Sequence, residues 1–325
     1  MKPLFSDKLI TIIGGSGFVG RHVVQALAKR GYRIRVACRR PDLAGHVVPL
    51  GTPGQVMPVQ ANVRYPDSLA LVCDGAFAVI NLAGVLYSRG PQSFDAIHVF
   101  GAEASAKAAK TAKAQVFIQM SALGADAESA SGYARSKAEG EARAKAAFPG
   151  ATIVRPSVVF GPEDEFFNRF AALARFSPVL PLISGRTKLQ PVFVGDIAAA
   201  FIALIERPET MGRTFEFGGP EVFTYRELLE FILATIERRR LLLPVPWGIA
   251  RVMGTVMAFL PKPMLTEDQV KMLRIDNLVD PRAEQAGTTL RGLGIPANGI
   301  EAIVPAYLYR YRKAGQFTAP SGIPE

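Results

Sequence analysis

Tyr133 and Lys137 have the types and the spacing to carry out proton transfer together. They stand four residues apart in a stretch rich in Ala, Glu and Lys that predicts a helix, so both side chains share one helical face. A neighbouring ammonium favours the phenolate form of a tyrosine, and such a phenol can pass a proton to or from a substrate oxygen during hydride transfer. Because this spacing is also common by chance, its meaning depends on the elements around it.

A glycine-rich turn near the N-terminus has the spacing to hold the phosphates of a dinucleotide. An apolar, β-branched run at residues 9–13 predicts a buried parallel strand, and the pattern that follows predicts a helix. On such a turn one glycine makes the bend, one lets the backbone approach a pyrophosphate, and one lets the helix pack on the strand. Exposed N–H groups and the helix dipole then bind the phosphates. The predicted phosphate-binding residues are Gly14, Gly15, Ser16, Gly17, Phe18, Val19 and Gly20.

Two arginines indicate which dinucleotide this turn would accept. Arg39 and Arg40 follow the predicted second strand, about 20 positions past the glycines, where an NAD-specific fold places a carboxylate. Guanidinium groups at this position suit the 2′-phosphate of NADP(H) instead. The alternative is a solvated basic turn. The sequence therefore predicts NADPH as the cofactor and leaves open which arginine contacts the phosphate.

Strands that alternate with helices predict the fold. A small-residue turn at Leu82, Ala83 and Gly84 follows the fourth strand and leaves space for the adenine-ribose half of a dinucleotide. A helix is predicted over residues 94–113, between the fourth and fifth strands. This order predicts an α/β, Rossmann-type doubly wound parallel sheet. The predicted strands are 9–13, 33–38, 55–63, 77–84 and 115–120.

Composition restricts the class of protein. Hydrophobic residues make up 49% of the 325 residues and charged residues 20%, which predicts a sizeable core. The net charge of +10 suits anionic partners, but the basic residues are scattered and no nucleic-acid motif occurs, so nucleic-acid binding is not predicted. Cys38 and Cys73 are predicted to be buried free thiols, and no metal-ligand spacing occurs. No secretory signal or transmembrane helix is predicted.

The second half of the chain predicts a smaller, mainly helical domain. We place the NADP(H)-binding domain at residues 1–160, its sheet completed within 190–218 by the strand pair 190–194 and 214–217, and the smaller domain at 161–325. Thr224 and Glu227 have the spacing of a capping box and predict a helix that runs to residues 238–240. Within residues 241–265, an apolar stripe fits an interfacial helix or a partner groove, and it is formed by Ile249, Val252, Met253, Val256 and Leu260. The alternative is a helix that packs in its own domain's core.

The motifs together resemble the extended short-chain dehydrogenase/reductases. Three of them lie in the predicted nucleotide-binding half, and two further segments, 155–162 and 191–198, match the same superfamily. The resemblance implies a Rossmann fold and a nicotinamide cofactor. The three motifs are Gly14-x-x-Gly17-x-x-Gly20, Asn81-Leu82-Ala83-Gly84 and Tyr133-x-x-x-Lys137.

Segments that are less specific than these motifs resemble a narrower group, the NADPH-binding accessory subunits of respiratory complex I, in particular their bacterial members. These segments are 161–170, 190–194 and 260–266, and the likeness extends from about residue 9 to residue 312. The resemblance implies tightly bound NADP(H) with a structural role, contact with other complex I subunits of the peripheral arm and with membrane lipids, and no small-molecule substrate. It also implies a peripheral location on the cytoplasmic side of the bacterial inner membrane.

The superfamily's third catalytic member is a Ser or Thr, and Ser121 is the nearest match. Its neighbour Ala122 departs from the pattern, since many extended members carry a second hydroxyl there. Tyr133, Lys137 and Ser121 are therefore the candidate catalytic residues, and the alternative is that they only bind the nicotinamide and its ribose. The predicted cofactor contacts beyond the glycine turn are Arg39, Arg40, Asn62, Leu82, Ala83, Gly84, Ser121, Tyr133, Lys137 and Pro156.

Three hypotheses about function follow. The first is a non-catalytic NADP(H)-binding accessory subunit of the NADH:quinone oxidoreductase, whose cofactor stabilises fold and assembly. The second is a soluble NADP(H)-dependent reductase or sugar-nucleotide epimerase that uses Tyr133 and Lys137. The third is an NADP(H)-responsive regulator that binds partners through residues 241–260.

Overall fold

The strand that precedes the glycine turn lies inside a seven-stranded parallel sheet in the computed structural model of the chain. The structure describes residues 6–258, 263 and 265–313. The chain divides into two compact units. The first contains residues 1–157, 194–218 and 278–297, and the second contains 158–193, 219–277 and 298–325.

The helices and strands follow the chain in regular alternation over the first half. The strands are β1 Leu9–Ile13, β2 Arg33–Cys38, β3 Val56–Gln60, β4 Ala78–Asn81, β5 Val116–Met120, β6 Thr152–Pro156, β7 Val159–Phe160, β8 Val179–Leu182, β9 Lys188–Leu189, β10 Val192–Phe193, β11 Thr214–Phe217, β12 Phe223–Thr224 and β13 Leu241–Pro244. The α-helices are α1 Phe18–Lys29, α2 Pro66–Cys73, α3 Phe100–Thr111, α4 Gly132–Ala147, α5 Phe167–Phe176, α6 Val194–Glu206, α7 Tyr225–Thr235, α8 Trp247–Met257, α9 Glu267–Met272, α10 Pro281–Gln285 and α11 Ile300–Leu308. Short helices of other types are the π-helical turn Asp95–Val99 and the 3-10 turns Pro41–Leu43, Gly45–Leu50, Pro208–Thr210 and Tyr309–Tyr311.

The main sheet belongs to the first unit and has the strand order β11-β6-β5-β4-β1-β2-β3. All its neighbouring strands are parallel. Helices α1 and α6 pack on each other, and α2, α3 and α4 form another packed group. Apart from the half-buried Leu9, the apolar side chains of β1 and β4 are fully or almost fully buried, as near-continuous apolar runs in a parallel sheet require. The predicted Rossmann-type doubly wound sheet is confirmed.

The two predicted strands 190–194 and 214–217 join different sheets in the structure. Thr214–Phe217 pairs with β6 and forms the seventh strand of the main sheet. The segment around β10 does not join that sheet, because Val192–Phe193 pairs with Val159–Phe160 in a separate two-stranded sheet. Pro191 has no N–H for a ladder bond, which shortens this strand. Residues 278–297, placed in the smaller domain by the sequence, belong to the first unit.

The second unit has its own core, which is built from α5, α7 and α11 and includes Phe160, Phe167 and Ile232. Asp164 is buried there and accepts hydrogen bonds from the Tyr307 hydroxyl and from the Phe167 N–H at 2.6 Å each. The predicted capping box at the start of α7 is present between Thr224 and Glu227. The helix ends at Thr235, short of the predicted end at residues 238–240, and Glu237 follows in a left-handed conformation.

Helix α8 packs through its small residues and leaves its large apolar residues exposed. Ala250 and Gly254 are buried, and a Cβ on Gly254 would lie 2.7 Å from the Glu267 nitrogen. The exposed fractions of Ile249, Val252 and Val256 are 56%, 63% and 64%, so these three side chains lie outside the core, whereas the helix itself contacts a core cluster through Ala250. The rest of the predicted contact region includes residues 259–262 and 264, which lie outside the described residues.

Among the residues that the structure describes, no helix has the length and apolarity needed to cross a membrane. Cys38 and Cys73 are both buried and free, as predicted.

We expect Gly140→Ala to destabilise the protein by about 2 kcal/mol or more, because a Cβ at this position in α4 would lie 2.1 Å from the carbonyl oxygen of His98. The measurement is the free energy of unfolding from chemical denaturation. Gly248→Ala is the matched control, since nothing lies within 4 Å of its Cβ position in α8, and alanine there should be neutral or slightly stabilising. Equal effects of the two changes would contradict the packing argument.

Candidate functional site

The glycine turn joins β1 to α1 through backbone contacts too close for larger residues. Gly14 has φ +80°, and its N–H donates to the Ala37 carbonyl at 2.8 Å. A Cβ on Gly20 would lie 2.6 Å from the Gly14 carbonyl oxygen, so the first turn of α1 rests directly on the loop. At Gly17 a Cβ would meet only the Gly14 oxygen, at 3.4 Å, which leaves this part of the loop open.

The N-terminus of α1 is suited to bind an anion. It has no side-chain cap and no acidic residue in its first turn. The N–H groups of the first turn have no partner within the helix, and they lie at the positive end of its dipole. All seven residues predicted for phosphate binding lie on this loop and first turn, where a pyrophosphate fits.

Arg39 and Arg40 lie directly after β2, the neighbour of β1 in the sheet. Both are exposed. The Arg40 guanidinium pairs with the Asp42 carboxylate at 2.7 Å. Arg39 makes no ion pair within the part of the chain that the structure describes, so it is the freer of the two cations to meet a phosphate.

The turn after β4 is held by the buried side chain of Asn81. Its amide donates to Gln119 Oε1 at 2.9 Å, and its Oδ1 accepts the Ala83 N–H at 3.1 Å. The Leu82 N–H donates to the Ile13 carbonyl, which ties the turn to β1. These bonds fix Leu82, Ala83 and Gly84 beside the glycine loop, since a Cβ on Gly14 would lie 3.2 Å from the Ala83 nitrogen.

Two predicted contact residues have structural roles of their own. Asn62 follows β3, and its Oδ1 accepts the Arg64 N–H at 3.1 Å, which stabilises the turn there. Pro156 is the buried last residue of β6, and its carbonyl accepts the Leu123 N–H at 2.9 Å. Both lie at the carboxyl ends of parallel strands, where this class of fold binds ligands.

Lys137 is buried, with 7% of its surface exposed, and its Nζ lies 5.7 Å from the centre of the Tyr133 ring. The ammonium donates to the Met120 carbonyl at 3.5 Å. Burial lowers the pKa of Lys137 to about 8, while the Glu141 carboxylate acts in the opposite direction. Glu141 is itself paired with Arg155 at 2.7 Å, so its charge is shared.

Ser121 follows β5 directly, and its N–H donates to the Val154 carbonyl at 2.7 Å. Its Oγ is buried and has no hydrogen-bond partner among the described residues. An unsatisfied buried hydroxyl costs about 1–3 kcal/mol, and a bound ligand or an ordered water molecule removes that cost by completing the hydrogen bond.

His98 is a site residue that the sequence analysis did not identify. It lies in the π-helical turn before α3, and its Nε2 accepts the Val85 N–H at 3.0 Å. Because a backbone N–H can only donate, the proton lies on Nδ1, which donates to Ser136 Oγ at 2.9 Å. Burial, together with the charge of Lys137, lowers the pKa of His98 to about 2, so the ring stays neutral.

The His98 ring also orders the aromatic wall of the site. It stacks on Phe94 with ring centres 5.4 Å apart and meets the Tyr133 ring edge-on at the same distance. The Ser136 hydroxyl in turn donates a hydrogen bond to the Tyr133 carbonyl at 2.8 Å. These hydrogen bonds connect three segments that are distant in sequence, at Val85, His98 and Tyr133. Metal-ligand spacing does not reveal this histidine, since its partners are a backbone N–H and a serine.

These groups fit a nicotinamide dinucleotide. The open loop and helix N-terminus suit a pyrophosphate, the unpaired Ser121 hydroxyl suits a polar group, and Tyr133 with Lys137 suits a ribose or a substrate oxygen. No group of three or more His, Cys, Asp or Glu side chains among the described residues could hold a metal ion.

Comparisons with known proteins agree with this geometry. The model of the NAD dependent epimerase/dehydratase family matches residues 10–218. The NADH dehydrogenase (ubiquinone) 1 alpha subcomplex subunit 9, mitochondrial, of Arabidopsis thaliana is 35% identical over 323 residues, which cover 95% of this chain and 79% of that protein. The ceramide reductase of Caulobacter vibrioides is 38% identical over 200 residues, 62% of each chain.

Solved structures share the fold at low sequence identity. The NADPH-dependent quinone oxidoreductase QOR2 of Escherichia coli, solved with NADPH, has a TM-score of 0.72 and 20% identity. The match covers 92% of this chain and 99% of that one. This likeness supports the architecture alone.

We expect Lys137→Met to raise the free energy of unfolding at pH 7 by roughly 2 kcal/mol. Below about pH 8 the folded state bears the cost of a buried ammonium. Between about pH 8 and about pH 10.4 the folded lysine is neutral while the unfolded chain keeps its proton, so the wild type gains stability as pH rises. The advantage of methionine should therefore shrink towards pH 10, as measured by denaturant titration across this range.

The matched control is Lys110→Met, because Lys110 is exposed on α3. Its effect should stay within about 0.5 kcal/mol at every pH. A Lys137→Met gain that does not change with pH would contradict the assignment of a buried, titrating ammonium.

Proposed function

The chain belongs to the NAD dependent epimerase/dehydratase family, and on that basis we propose that it is an NADP(H)-binding accessory subunit of the respiratory NADH:quinone oxidoreductase (complex I). The observation that carries the proposal is the extent of the similarity to the complex I subunit. It covers 95% of this chain, whereas the family model ends at residue 218. The likeness therefore includes the second unit, and its 35% identity exceeds the 20% identity of the oxidoreductase structure that shares the fold over a similar extent.

Within this proposal, the cofactor is NADP(H) and its role is structural. Arg39, free of any ion pair among the described residues, favours a 2′-phosphate over the bare ribose of NAD(H). Tyr133 and Lys137 hold the nicotinamide ribose, and Ser121 completes its bonding on the cofactor. A ligand that binds only the folded state stabilises it. The gain is about 2.7 kcal/mol when the free ligand concentration is a hundred times the dissociation constant. Assembly of the complex would then depend on a loaded nucleotide site.

A second candidate is an NADP(H)-dependent reductase of a carbonyl substrate. The unpaired Ser121 hydroxyl and the buried Lys137 beside Tyr133 favour it, and so does the similarity to a ceramide reductase. When bound, the nicotinamide supplies the hydride. Ser121 would orient the substrate oxygen, Tyr133 would donate a proton to it from its hydroxyl, and Lys137 would stabilise the resulting phenolate.

The proposed subunit lies on the peripheral arm at the cytoplasmic face of a bacterial membrane and touches lipid there. The exposed Ile249, Val252 and Val256 on α8 support this contact, since soluble proteins seldom leave such a stripe bare. Arg251 is exposed on the same helix, where it pairs with Glu267 at 3.0 Å, and Arg238 and Arg240 precede the helix in the chain; such basic residues suit anionic headgroups.

Native gels of gently solubilised membranes separate the two candidate functions. We expect the chain to co-migrate with NADH:quinone oxidoreductase activity, and Tyr133→Phe to leave that assembly largely intact, because a structural site loses one ribose hydrogen bond and keeps its other cofactor contacts. A chain that migrates alone, with NADPH-dependent carbonyl reduction abolished by Tyr133→Phe, would overturn the subunit proposal in favour of the reductase.

Vesicle flotation tests the lipid contact directly. Val252→Glu combined with Val256→Glu should reduce binding to vesicles that contain anionic phospholipid at least tenfold, because two carboxylates on the exposed stripe oppose insertion and repel the headgroups. Ile275→Glu is the control, since Ile275 is 59% exposed but lies outside α8. Equal binding by the wild type and the double variant would contradict the contact.

A further inference from the structure

A cleft of about 710 Å³ lies on the second unit, between the end of α7 and the start of β13. Three consecutive arginines line this arginine cleft, together with apolar side chains of α7 and β13. A cleft with cations and apolar groups on its walls suits a ligand that is both anionic and apolar. The lining residues include Arg238, Arg239, Arg240, Leu233, Leu241 and Leu242.

Two of the arginines are held in place through their Nε atoms, which leaves other guanidinium nitrogens for a ligand. Arg238 Nε donates to the Tyr311 carbonyl at 2.9 Å, and Arg240 Nε donates to the Ala174 carbonyl, in the last turn of α5, at 2.8 Å. The η nitrogens of Arg238 and the side chain of Arg239 have no hydrogen-bond partner within residues 6–258, 263 and 265–313. A guanidinium presents paired N–H donors that match two oxygens of a phosphate.

The carboxylates that line the arginine cleft are already paired with other cations. Glu237 pairs with Arg312 at 2.9 Å, and Glu230 pairs with Arg226 at 3.6 Å. In the part of the chain that the structure describes, no carboxylate pairs with the three cleft arginines. The cleft therefore carries an excess of positive charge that a bound anion would neutralise.

This excess charge acts on the cleft arginines themselves. Partial burial, together with the charges of Arg240 and Arg175, lowers the pKa of Arg238. Like charges held close together repel each other, so an anion placed among them gains more than it would from a single isolated arginine.

Exposed apolar side chains border the arginine cleft on two sides. Leu241 and Leu243 share one face of β13 and are both exposed, and Phe176, at the end of the helix to which Arg240 is bonded, is 84% exposed. β13 ends at residue 244, and α8 with its exposed stripe begins at Trp247. A phosphate that carries hydrocarbon chains can cover this apolar border, whereas a soluble phosphate ester cannot.

We propose that the arginine cleft binds the phosphate group of an anionic phospholipid. The guanidinium groups of Arg238 and Arg239 bind its oxygens, and the acyl chains lie against Leu241 and Leu243. This inference rests on the proposed function in that the subunit lies at a membrane. It adds to the contact made by α8 a defined site for a single headgroup.

The first test measures the partition of the full-length protein into vesicles of phosphatidylcholine and phosphatidylglycerol. Arg238→Gln combined with Arg239→Gln should weaken partition roughly tenfold or more, because two basic residues no longer bind the anionic headgroup. Arg33→Gln combined with Arg291→Gln is the matched control. It removes the same charge from two exposed arginines of the first unit and should change partition by less than about twofold.

A conservative variant separates a site from a diffuse charged patch. Arg238→Lys combined with Arg239→Lys keeps the charge but removes the paired donors, so it should weaken partition roughly threefold or more. Partition equal to that of the wild type would overturn the proposal. Should the double variants fail to fold, Arg239→Gln alone replaces them, because this exposed side chain makes no bond within the described residues. It should weaken partition roughly threefold, and an unchanged partition would again overturn the site.

Calorimetric titration tests the stoichiometry and the source of the phosphate. One molecule of a soluble, short-chain phosphatidylglycerol, used below its micelle concentration, should bind each chain. Glycerol 3-phosphate, which has the phosphate but no acyl chains, should bind at least roughly tenfold more weakly. Equal affinity for the two compounds would assign the cleft to soluble phosphate esters and overturn the phospholipid proposal.

The α8 variants separate this inference from the proposed lipid contact. If Val252→Glu combined with Val256→Glu lowers partition while the arginine variants do not, the cleft proposal fails and the α8 contact stands. If the wild type binds neither the vesicles nor the short-chain lipid, both fail.

Discussion

The contact of backbone with backbone at the glycine turn is the constraint on which the nucleotide-binding unit depends. With Gly20 set against the Gly14 carbonyl, α1 begins directly at the end of β1, a strand with partners on both sides. The same loop abuts the turn after β4, and that turn is fixed by the buried amide of Asn81. A single central strand therefore sets the position of both walls of the phosphate site, and no flexible side chain is needed to do so.

A second set of groups contributes little or unfavourably to folding stability. Lys137 keeps a buried amine, Ser121 keeps an unpaired hydroxyl, and His98 is held neutral between a backbone N–H and a serine. Each of these is unfavourable or neutral for folding considered alone. They occur together around Tyr133, which is the pattern expected of a ligand site rather than of a core.

The sequence predicted those parts of the structure that are encoded locally. The strand before Gly14, the helix after Gly20 and the capping box at Thr224 depend on neighbouring residues, and all three are present. His98 could not be found in this way, because its two partners are 13 and 38 positions away along the chain. The pairing of β10 with β7 instead of the main sheet, and the exposure of the α8 stripe beside buried Ala250, depend equally on tertiary contacts that short patterns do not encode.

The π-helical turn that carries His98 bears on how such a site can arise. A helix acquires a turn of this kind when one residue is inserted into it, and π turns are frequent at functional positions. In α3 the residues that pack in the core after the turn, Ala102, Ala106 and Ala109, keep ordinary helical spacing and are fully buried. The extra residue is therefore absorbed within one turn. An ancestral helix could gain an inward-facing imidazole by a single insertion, without any change to the core that it had already built.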